Sequence, residues 1–184
     1  MPDGQPSQID FENRVSIAFL KQYHRVGGTL YLEDEGKLIG RCVLTPAVQN
    51  TIVRSKIVRV VDTLEGRIER TIRGYVTDVF SQLQSLGFSE EEAYIKLGAY
   101  LTAGLTGIKK RLGGLRYKQL FGLLASALQQ QRNTGKLDGY REPISRLLTE
   151  YYDPMYQFQQ KRKRRELLFQ GDPQEVVEWV RENN

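Results

Sequence analysis

Apolar residues recur at helical spacing along most of the chain. Residues 11–23 form the first such stretch, and Asp10 precedes it in the position of an N-cap. Residues 64–86 and 115–132 are also helix-compatible. Over residues 89–92 a serine stands three positions before a glutamate, the spacing at which the two side chains cap each other's backbone N–H groups. We therefore predict that helices make up most of the structure.

Prolines and a capping aspartate mark further helix starts. Asp172 is followed by Pro173 and Glu175, which places an N-cap residue, a proline at the first helical position and an acid at the third. Pro46 and Pro143 also stand where a short helix can begin. The sequence therefore predicts two short internal helices and a well-marked final helix.

Strand signals are fewer than helix signals. Residues 29–32 and 56–61 are short apolar runs of the kind that form buried parallel strands, and residues 167–169 suggest another strand. Buried strands that alternate with helices are typical of an α/β fold. We predict an incomplete P-loop-type parallel sheet with few strands over residues 1–62, merging into a mostly α-helical C-terminal region over residues 63–184.

Three acids follow the first apolar run and give it the form of a Walker B strand. In such a strand, a carboxylate at the carboxyl end holds Mg²⁺ or orients water beside a nucleotide phosphate. The site needs a loop of the form G-x-x-x-x-G-K-[ST] to hold the phosphates, and the sequence contains no match to it. The pattern by itself favours a strand that ends in a solvated turn. The candidates for a phosphate or Mg²⁺ site are Glu33, Asp34 and Glu35.

Charge is unevenly distributed along the chain. Residues 109–165 contain 14 Lys and Arg against four acids, a local net charge of +10, and because the whole chain carries +5 the rest carries −5. A basic half beside an acidic half suggests a polyanion that one face of the protein contacts. A solvated helical surface explains the same distribution, and charge alone leaves both interpretations open.

Two clusters within the basic region are candidates for contacts with RNA phosphates. Tyrosines occur near them in sequence, and aromatic faces can stack on unpaired bases, which favours RNA as the partner. The first cluster lies within residues 109–118 and the second is the run over residues 161–165, for which the alternative is an exposed helix end or a linker. The candidate residues are Lys109, Lys110, Arg111, Arg116, Lys118, Lys161, Arg162, Lys163, Arg164 and Arg165.

One tyrosine-rich string is unusual. Its Asp-Pro pair disfavours helix at Asp153, so we predict a tight turn around which three tyrosines and a methionine are arranged. The functional interpretation is a stacking or apolar ligand surface, and the simpler alternative is a turn packed into the core. The candidate residues are Tyr151, Tyr152, Asp153, Pro154, Met155 and Tyr156.

The chain has a single cysteine, Cys42, and a single histidine, His24. One cysteine forms no internal disulfide, so we expect a reducing, cytoplasmic setting. Nothing in the sequence brings Cys42 to His24, and a lone cysteine is usually a small buried residue, so no catalytic residue is predicted. No apolar stretch approaches the length that spans a bilayer, and we expect no membrane partner.

Five segments occur in the order and at a spacing similar to those of one enzyme family. They are Phe11-Glu12-Asn13-Arg14, Leu32-Glu33-Asp34-Glu35 with Ile39-Gly40, Ile108-Lys109-Lys110-Arg111-Leu112-Gly113, Glu150-Tyr151-Tyr152-Asp153-Pro154-Met155-Tyr156 and Phe169-Gln170-Gly171-Asp172. Through these segments the chain resembles the bacterial tRNA 2-selenouridine synthases from about residue 5 to residue 179. The Tyr-Tyr-Asp-Pro-Met-Tyr string is the most specific of them.

The resemblance implies a selenotransferase that replaces the sulfur of wobble 2-thiouridine in tRNA by selenium. It implies an S-geranylated intermediate, with geranyl diphosphate and then selenophosphate as co-substrates, and a Walker B-like role for the acids that follow residue 32. A rhodanese-like domain with the catalytic cysteine and a Walker A loop are expected upstream, in a longer protein or on a separate chain, so we expect this chain to be inactive alone. The alternative is a non-enzymatic RNA-binding or partner-binding helical module from a truncated or split gene.

Overall fold

Helices dominate the structure, a computed structural model that describes four ranges of residues. Those ranges are 5–26, 28–34, 36–162 and 165–183. In chain order the helices are α1 (Gln8–Val26), α2 (Pro46–Arg54), α3 (Leu64–Ile72), α4 (Asp78–Ser85), α5 (Glu90–Gly107), α6 (Lys109–Leu112), α7 (Gly114–Thr134), α8 (Arg141–Leu147), α9 (Asp153–Arg162) and α10 (Pro173–Glu182). The strands are β1 (Leu38–Ile39), β2 (Cys42–Val43), β3 (Ile57–Val60) and β4 (Leu167–Gly171). The predicted α/β fold with few strands is confirmed, and no helix of these four ranges is long and apolar enough to cross a bilayer.

The chain divides into two compact units. The first consists of residues 1–61 and 165–184, and the second of residues 62–164. The strand and helix that follow residue 165, which the sequence groups with the helical region, lie in the first unit. The reason is backbone pairing, because β4 hydrogen-bonds to β3.

The first unit is built on the parallel pair formed by β3 and β4. Val58 lies beside Phe169 in this pair, and the ring of Phe169 stacks on Trp179 of α10 with 5.4 Å between centroids. Helix α10 therefore packs against the strand that precedes it. A separate antiparallel hairpin, β1 with β2, was not predicted; it turns at Gly40, whose φ of 62° suits glycine.

The predicted strand over residues 29–32 is wrong. No strand begins before Leu38 in the described residues, and Leu30 and Leu32 are 44% and 48% exposed. A strand of this apolar type is stable only when neighbouring strands satisfy its backbone and helices cover its faces. In the first unit the strand that pairs with β3 is β4, and residues 29–32 are not part of a sheet.

Helix α1 is present as predicted, but its cap is not Asp10. The backbone N–H of Asp10 donates to the Ser7 Oγ at 3.2 Å, and the Ser7 hydroxyl donates to the Asp10 carboxylate at 2.7 Å. Ser7 is therefore the N-cap residue and Asp10 its partner three positions on. The helix begins three residues before the predicted start at residue 11 because that serine cap lies further upstream.

Helices α3, α5, α7 and α8 enclose the main core of the second unit. The predicted capping box at the start of α5 is confirmed: the Glu92 backbone N–H donates to the Ser89 Oγ, and the Ser89 N–H donates to the Glu92 carboxylate. The buried side chains of this core are Ile68, Ile72, Val76, Leu97, Ala127, Tyr140 and Ile144.

Two π-helical turns, Arg73–Thr77 and Leu148–Tyr152, join α3 to α4 and α8 to α9. The tight turn predicted at Asp153 is wrong, because Asp153 has α-helical dihedral angles and its N–H donates to the carbonyl of Leu148. This wider hydrogen bond changes the helical register just before Pro154, and the helix continues into α9 through a residue that has no N–H to donate.

A buried hydrogen bond in this core provides a stability prediction. The Tyr140 hydroxyl donates to the Gln131 Oε1 at 2.6 Å, and the two residues are 1% and 5% exposed. Tyr140→Phe leaves a buried acceptor without its donor, which we expect to lower the free energy of unfolding by about 1–3 kcal/mol in a urea titration. The double variant Tyr140→Phe/Gln131→Leu is expected to recover part of the loss. An unchanged urea midpoint for Tyr140→Phe would contradict this account.

Candidate functional site

The first basic cluster lies at the junction of α6 and α7. Lys109, Lys110 and Arg111 form the exposed turn of α6, and Arg116 and Lys118 follow at exposed positions of α7. All five predicted cations of this cluster are therefore at the surface of the second unit, as phosphate contacts require.

Apolar packing below the turn fixes the position of these cations. Leu112 closes α6 and is only 6% exposed, because it packs with Leu105 and Leu120 in a second core cluster. Gly113 follows with φ of 81°, a conformation that glycine adopts without steric cost and that redirects the chain into α7. The Lys-Lys-Arg-Leu-Gly sequence thus anchors one side chain and turns the charged ones outward.

Aromatic rings lie directly beside the cations of the cluster. The Lys109 Nζ stands over the Tyr117 ring, 4.9 Å from its centroid, in a cation–π contact. The Arg111 guanidinium donates to the Tyr151 hydroxyl at 3.5 Å. This hydrogen bond raises the pKa of Arg111 above its ordinary value. The arrangement places positive charge and aromatic surface together on one side of the helical unit.

Arg116 also has an acidic neighbour. Its Nε lies 3.2 Å from the Glu150 carboxylate, and both side chains are more than two-fifths exposed. Exposed pairs of this kind contribute little to stability and exchange partners readily. Arg116 is therefore able to leave Glu150 for a phosphate without a large cost in folding free energy.

The second predicted basic cluster is only partly described. Lys161 is exposed on α9, and the helix ends at Arg162. Lys163 and Arg164 lie outside the described residues. Arg165 belongs to the first unit, where its contacts are internal.

Arg165 holds the acidic segment in place. Its side chain is 10% exposed and forms an ion pair with the Asp34 carboxylate. Its Nη1 donates to the carbonyl of Ile52 at 3.0 Å. The Arg165 guanidinium is therefore engaged in contacts within the first unit.

The predicted Walker B-like acids do not form a metal site by themselves. Glu33 is exposed, Asp34 is paired with Arg165, and Glu35 lies outside the described residues. No three His, Cys, Asp or Glu side chains converge anywhere in the ranges that the structure describes. Among the described residues, these acids by themselves therefore do not provide a complete set of Mg²⁺ ligands.

The tyrosine-rich string forms part of a continuous helix surface. The rings of Tyr151 and Tyr152 meet edge to face at 4.9 Å, and Tyr152 stacks on Tyr156 at 6.3 Å. Tyr156 is 50% exposed. Burial, and then the neighbouring tyrosine hydroxyls, raise the pKa of Tyr152, so its hydroxyl remains a neutral donor at physiological pH.

Asp153, in the middle of the tyrosine-rich string, is hydrogen-bonded to Arg67 of α3. Both carboxylate oxygens of Asp153 accept hydrogen bonds from the Arg67 guanidinium, at 2.5 and 3.2 Å. Pro154 is exposed and Met155 is half-buried. Asp153 thus joins α9 to α3, and the tyrosines on either side of it are presented at a defined position.

Tyr75 and Tyr100 are two further exposed tyrosines of the second unit, and the sequence analysis did not select them as candidates. Tyr75 and Tyr100 stack with 6.5 Å between centroids, and they are 56% and 43% exposed. Each stands in a helix-compatible stretch, where a tyrosine is more often part of the core. Only the π-helical turn at residues 73–77, which the sequence pattern does not reveal, shows how Tyr75 is presented.

Cys42 and His24 do not form a catalytic pair. Cys42 is 1% exposed and its thiol lies 3.5 Å from the Pro6 carbonyl oxygen. The His24 ring is exposed on α1 and meets Tyr23 edge to face. The expectation that Cys42 is a small buried side chain is confirmed.

The parallel strand pair of the first unit and the helical second unit, with its exposed cations and aromatic rings, together define an α/β protein. A family model described as the tRNA 2-selenouridine synthase AAA domain matches residues 1–184. The chain belongs to this family, as the segments quoted above indicated.

Curated relatives match nearly the whole chain. The tRNA 2-selenouridine synthase of Marinobacter nauticus is 41% identical over 177 residues, which are 96% of this chain and 48% of the relative. The enzyme of Pseudomonas aeruginosa is 42% identical over 178 residues, 97% of this chain and 48% of its own length. The chain therefore spans about half the length of the curated relatives that it matches. No solved structure gives a significant match.

Proposed function

We propose that this chain is the tRNA-binding part of a selenotransferase that replaces the sulfur of wobble 2-thiouridine by selenium. The family membership supports the reaction class. The observation that carries the binding role is the first basic cluster, whose exposed cations stand beside Tyr117 and Tyr151. Cations of this kind neutralise backbone phosphates, and neighbouring aromatic faces accept unstacked bases.

In this proposal the exchange takes place in the cytoplasm through a geranylated intermediate. Geranyl diphosphate and selenophosphate are the co-substrates. The attacking cysteine and the phosphate-binding loop come from a rhodanese-like domain and a Walker A segment, either elsewhere in a longer protein or on a partner chain. The residues of this chain bind and orient tRNA, and the wobble base leaves its stack to react.

The acidic segment has a supporting role in the proposal. Glu33 is exposed next to Asp34, which Arg165 holds in place. We propose that this acidic segment lies at a phosphate site when the phosphate-binding loop is present. One or two carboxylates with bound phosphates are the usual environment of Mg²⁺, so the ion belongs to the assembled site.

Fluorescence anisotropy of labelled tRNA tests the binding role at several salt concentrations. We expect saturable binding by the chain, with log K falling linearly against log salt concentration. Each phosphate contact contributes about 0.7–0.9 to the magnitude of that slope, so three to five contacts produce a slope of roughly −2 to −4.5. A slope near zero, or no binding at low salt, would remove tRNA from the proposal.

A further inference from the structure

The helical unit contains a large cavity whose inner wall is apolar. Its volume is about 780 Å³, within the range of pockets that bind small molecules. Buried side chains form the inner wall, among them Val76, Leu105, Leu120 and Ile144, which are all less than 10% exposed. Such a wall offers dispersion contacts and few hydrogen-bonding groups, so it favours a hydrocarbon ligand.

Both π-helical turns of the structure line this cavity. The turn Arg73–Thr77 contributes Tyr75 and Val76, and the turn Leu148–Tyr152 contributes Leu148 and Tyr152. A π-helical turn is rare because it weakens the regular hydrogen bonding, and it occurs frequently at functional sites. That the two turns meet one cavity indicates a site shaped for a ligand.

Two stacked tyrosine pairs line the cavity, and three of the four tyrosines are at least two-fifths exposed. Tyr75 with Tyr100 and Tyr152 with Tyr156 are all lining residues. Tyrosine presents an apolar ring and a polar hydroxyl, which suits the boundary between an apolar interior and water. The pairs therefore mark the position where the ligand changes from apolar to polar.

Two arginines with partly exposed side chains also line the cavity. Arg67 and Arg70 line the cavity, and their side chains are 30% and 52% exposed. A guanidinium has five N–H donors, and Arg67 directs two of its nitrogens to the Asp153 carboxylate. Arg70 in turn forms an ion pair with the Asp62 carboxylate. Each guanidinium has more N–H groups than its ion pair uses, and the further donors can meet an anionic group of the ligand.

We propose that this cavity binds an amphiphile, an elongated hydrocarbon chain with an anionic head. The chain lies against the inner wall and the head meets Arg67, Arg70 and the tyrosine hydroxyls. A nucleobase fits less well, because its edges need several polar partners, and the buried Tyr140 hydroxyl is engaged by Gln131. Geranyl diphosphate, a co-substrate in the function proposed above, belongs to this class of amphiphile, although the lining alone defines the class.

Octyl phosphate, used below its critical micelle concentration, is a suitable probe for calorimetric titration of the full chain. We expect saturable binding at one site, with inorganic phosphate and octanol each binding at least about tenfold more weakly, because each has only one half of the recognised chemistry. Methyl resonances of Leu105, Leu120 and Ile144 are expected to shift on binding of the probe.

A glycine on α5 offers a variant that fills the cavity. Gly104 lines it, and a Cβ there meets no atom within 4 Å, so Gly104→Leu places a side chain in the open space. We expect octyl phosphate affinity to fall at least about tenfold. Gly107→Leu is the matched control, since Gly107 ends the same helix, also has open space at its Cβ and is not a lining residue.

Thermal unfolding of both glycine variants tests whether each remains folded, and we expect a cooperative transition for each. Failure of octyl phosphate to bind the unaltered chain would overturn the proposal, as would equal losses in the two variants. Tighter binding of a nucleoside monophosphate than of octyl phosphate, lost in Gly104→Leu, would replace the amphiphile site by a base pocket. None of these results depends on tRNA binding, so failure here is distinguishable from failure of the proposed function.

Discussion

Reversing the three charges of α6 is expected to weaken tRNA binding on the order of a hundredfold at 0.1 M salt. The variant Lys109→Glu/Lys110→Glu/Arg111→Glu removes three exposed cations and puts three repulsive charges in their place. The slope of log K against log salt concentration should become shallower by about 2–3, because each lost phosphate contact retains its counterions. Anisotropy of labelled tRNA over a salt series measures both quantities.

A matched variant separates position from total charge. Lys21, Lys37 and Arg54 are exposed cations of the first unit, and reversing all three changes the net charge by the same amount. We expect this control to lose less than about a tenth as much affinity and to keep the salt slope of the unaltered chain, because general repulsion is screened at 0.1 M salt. Equal losses in the two triple variants would show that binding follows net charge and not the α6 cluster.

The second large expected effect is a loss of stability when the main core of the second unit is altered. Leu97 of α5 is fully buried, with 0% exposure, in the main core of the second unit. Leu97→Ala removes buried methyl groups and leaves a cavity, which is expected to lower the free energy of unfolding by about 2–5 kcal/mol. That is a large part of the roughly 5–15 kcal/mol by which a domain is usually stable. Urea unfolding followed by circular dichroism measures the loss.

Leu115 provides the control for that substitution. It stands on α7 and is 75% exposed, so Leu115→Ala should change the free energy of unfolding by less than about 0.5 kcal/mol. A similar urea midpoint for the two variants would contradict the assignment of Leu97 to the core. A changed urea slope in Leu97→Ala would instead indicate a change in the unfolded state.

Helix starts were predictable from the sequence because their signals are local. Ser89 with Glu92 and Asp172 with Glu175 each satisfy backbone N–H groups within one turn, whatever the rest of the chain does. Strand formation depends on a distant partner. Residues 29–32 have a suitable composition but do not form a strand, while β4, a weaker signal, pairs with β3.

The candidate site was predictable in part. The exposed cations at α6 followed from composition, because a run of lysine and arginine is rarely buried. The role of Arg165 did not follow, since its ion pair with Asp34 joins residues far apart in the chain. The cavity was also not predictable from the sequence. It depends on the π-helical turns that contain Tyr75 and Tyr152, and such turns have no characteristic period of apolar residues.

A chimeric enzyme tests the central claim most directly. In it, this chain replaces the matching half of the Marinobacter nauticus relative, to which it is 41% identical. The purified chimera is incubated with thiolated tRNA, geranyl diphosphate and selenophosphate, and the nucleosides are then analysed by mass spectrometry. We predict conversion of 2-thiouridine to 2-selenouridine, and its loss when the three α6 charges are reversed. A folded, tRNA-binding chimera that leaves 2-thiouridine unchanged would contradict the selenotransferase assignment and favour a non-enzymatic RNA-binding module.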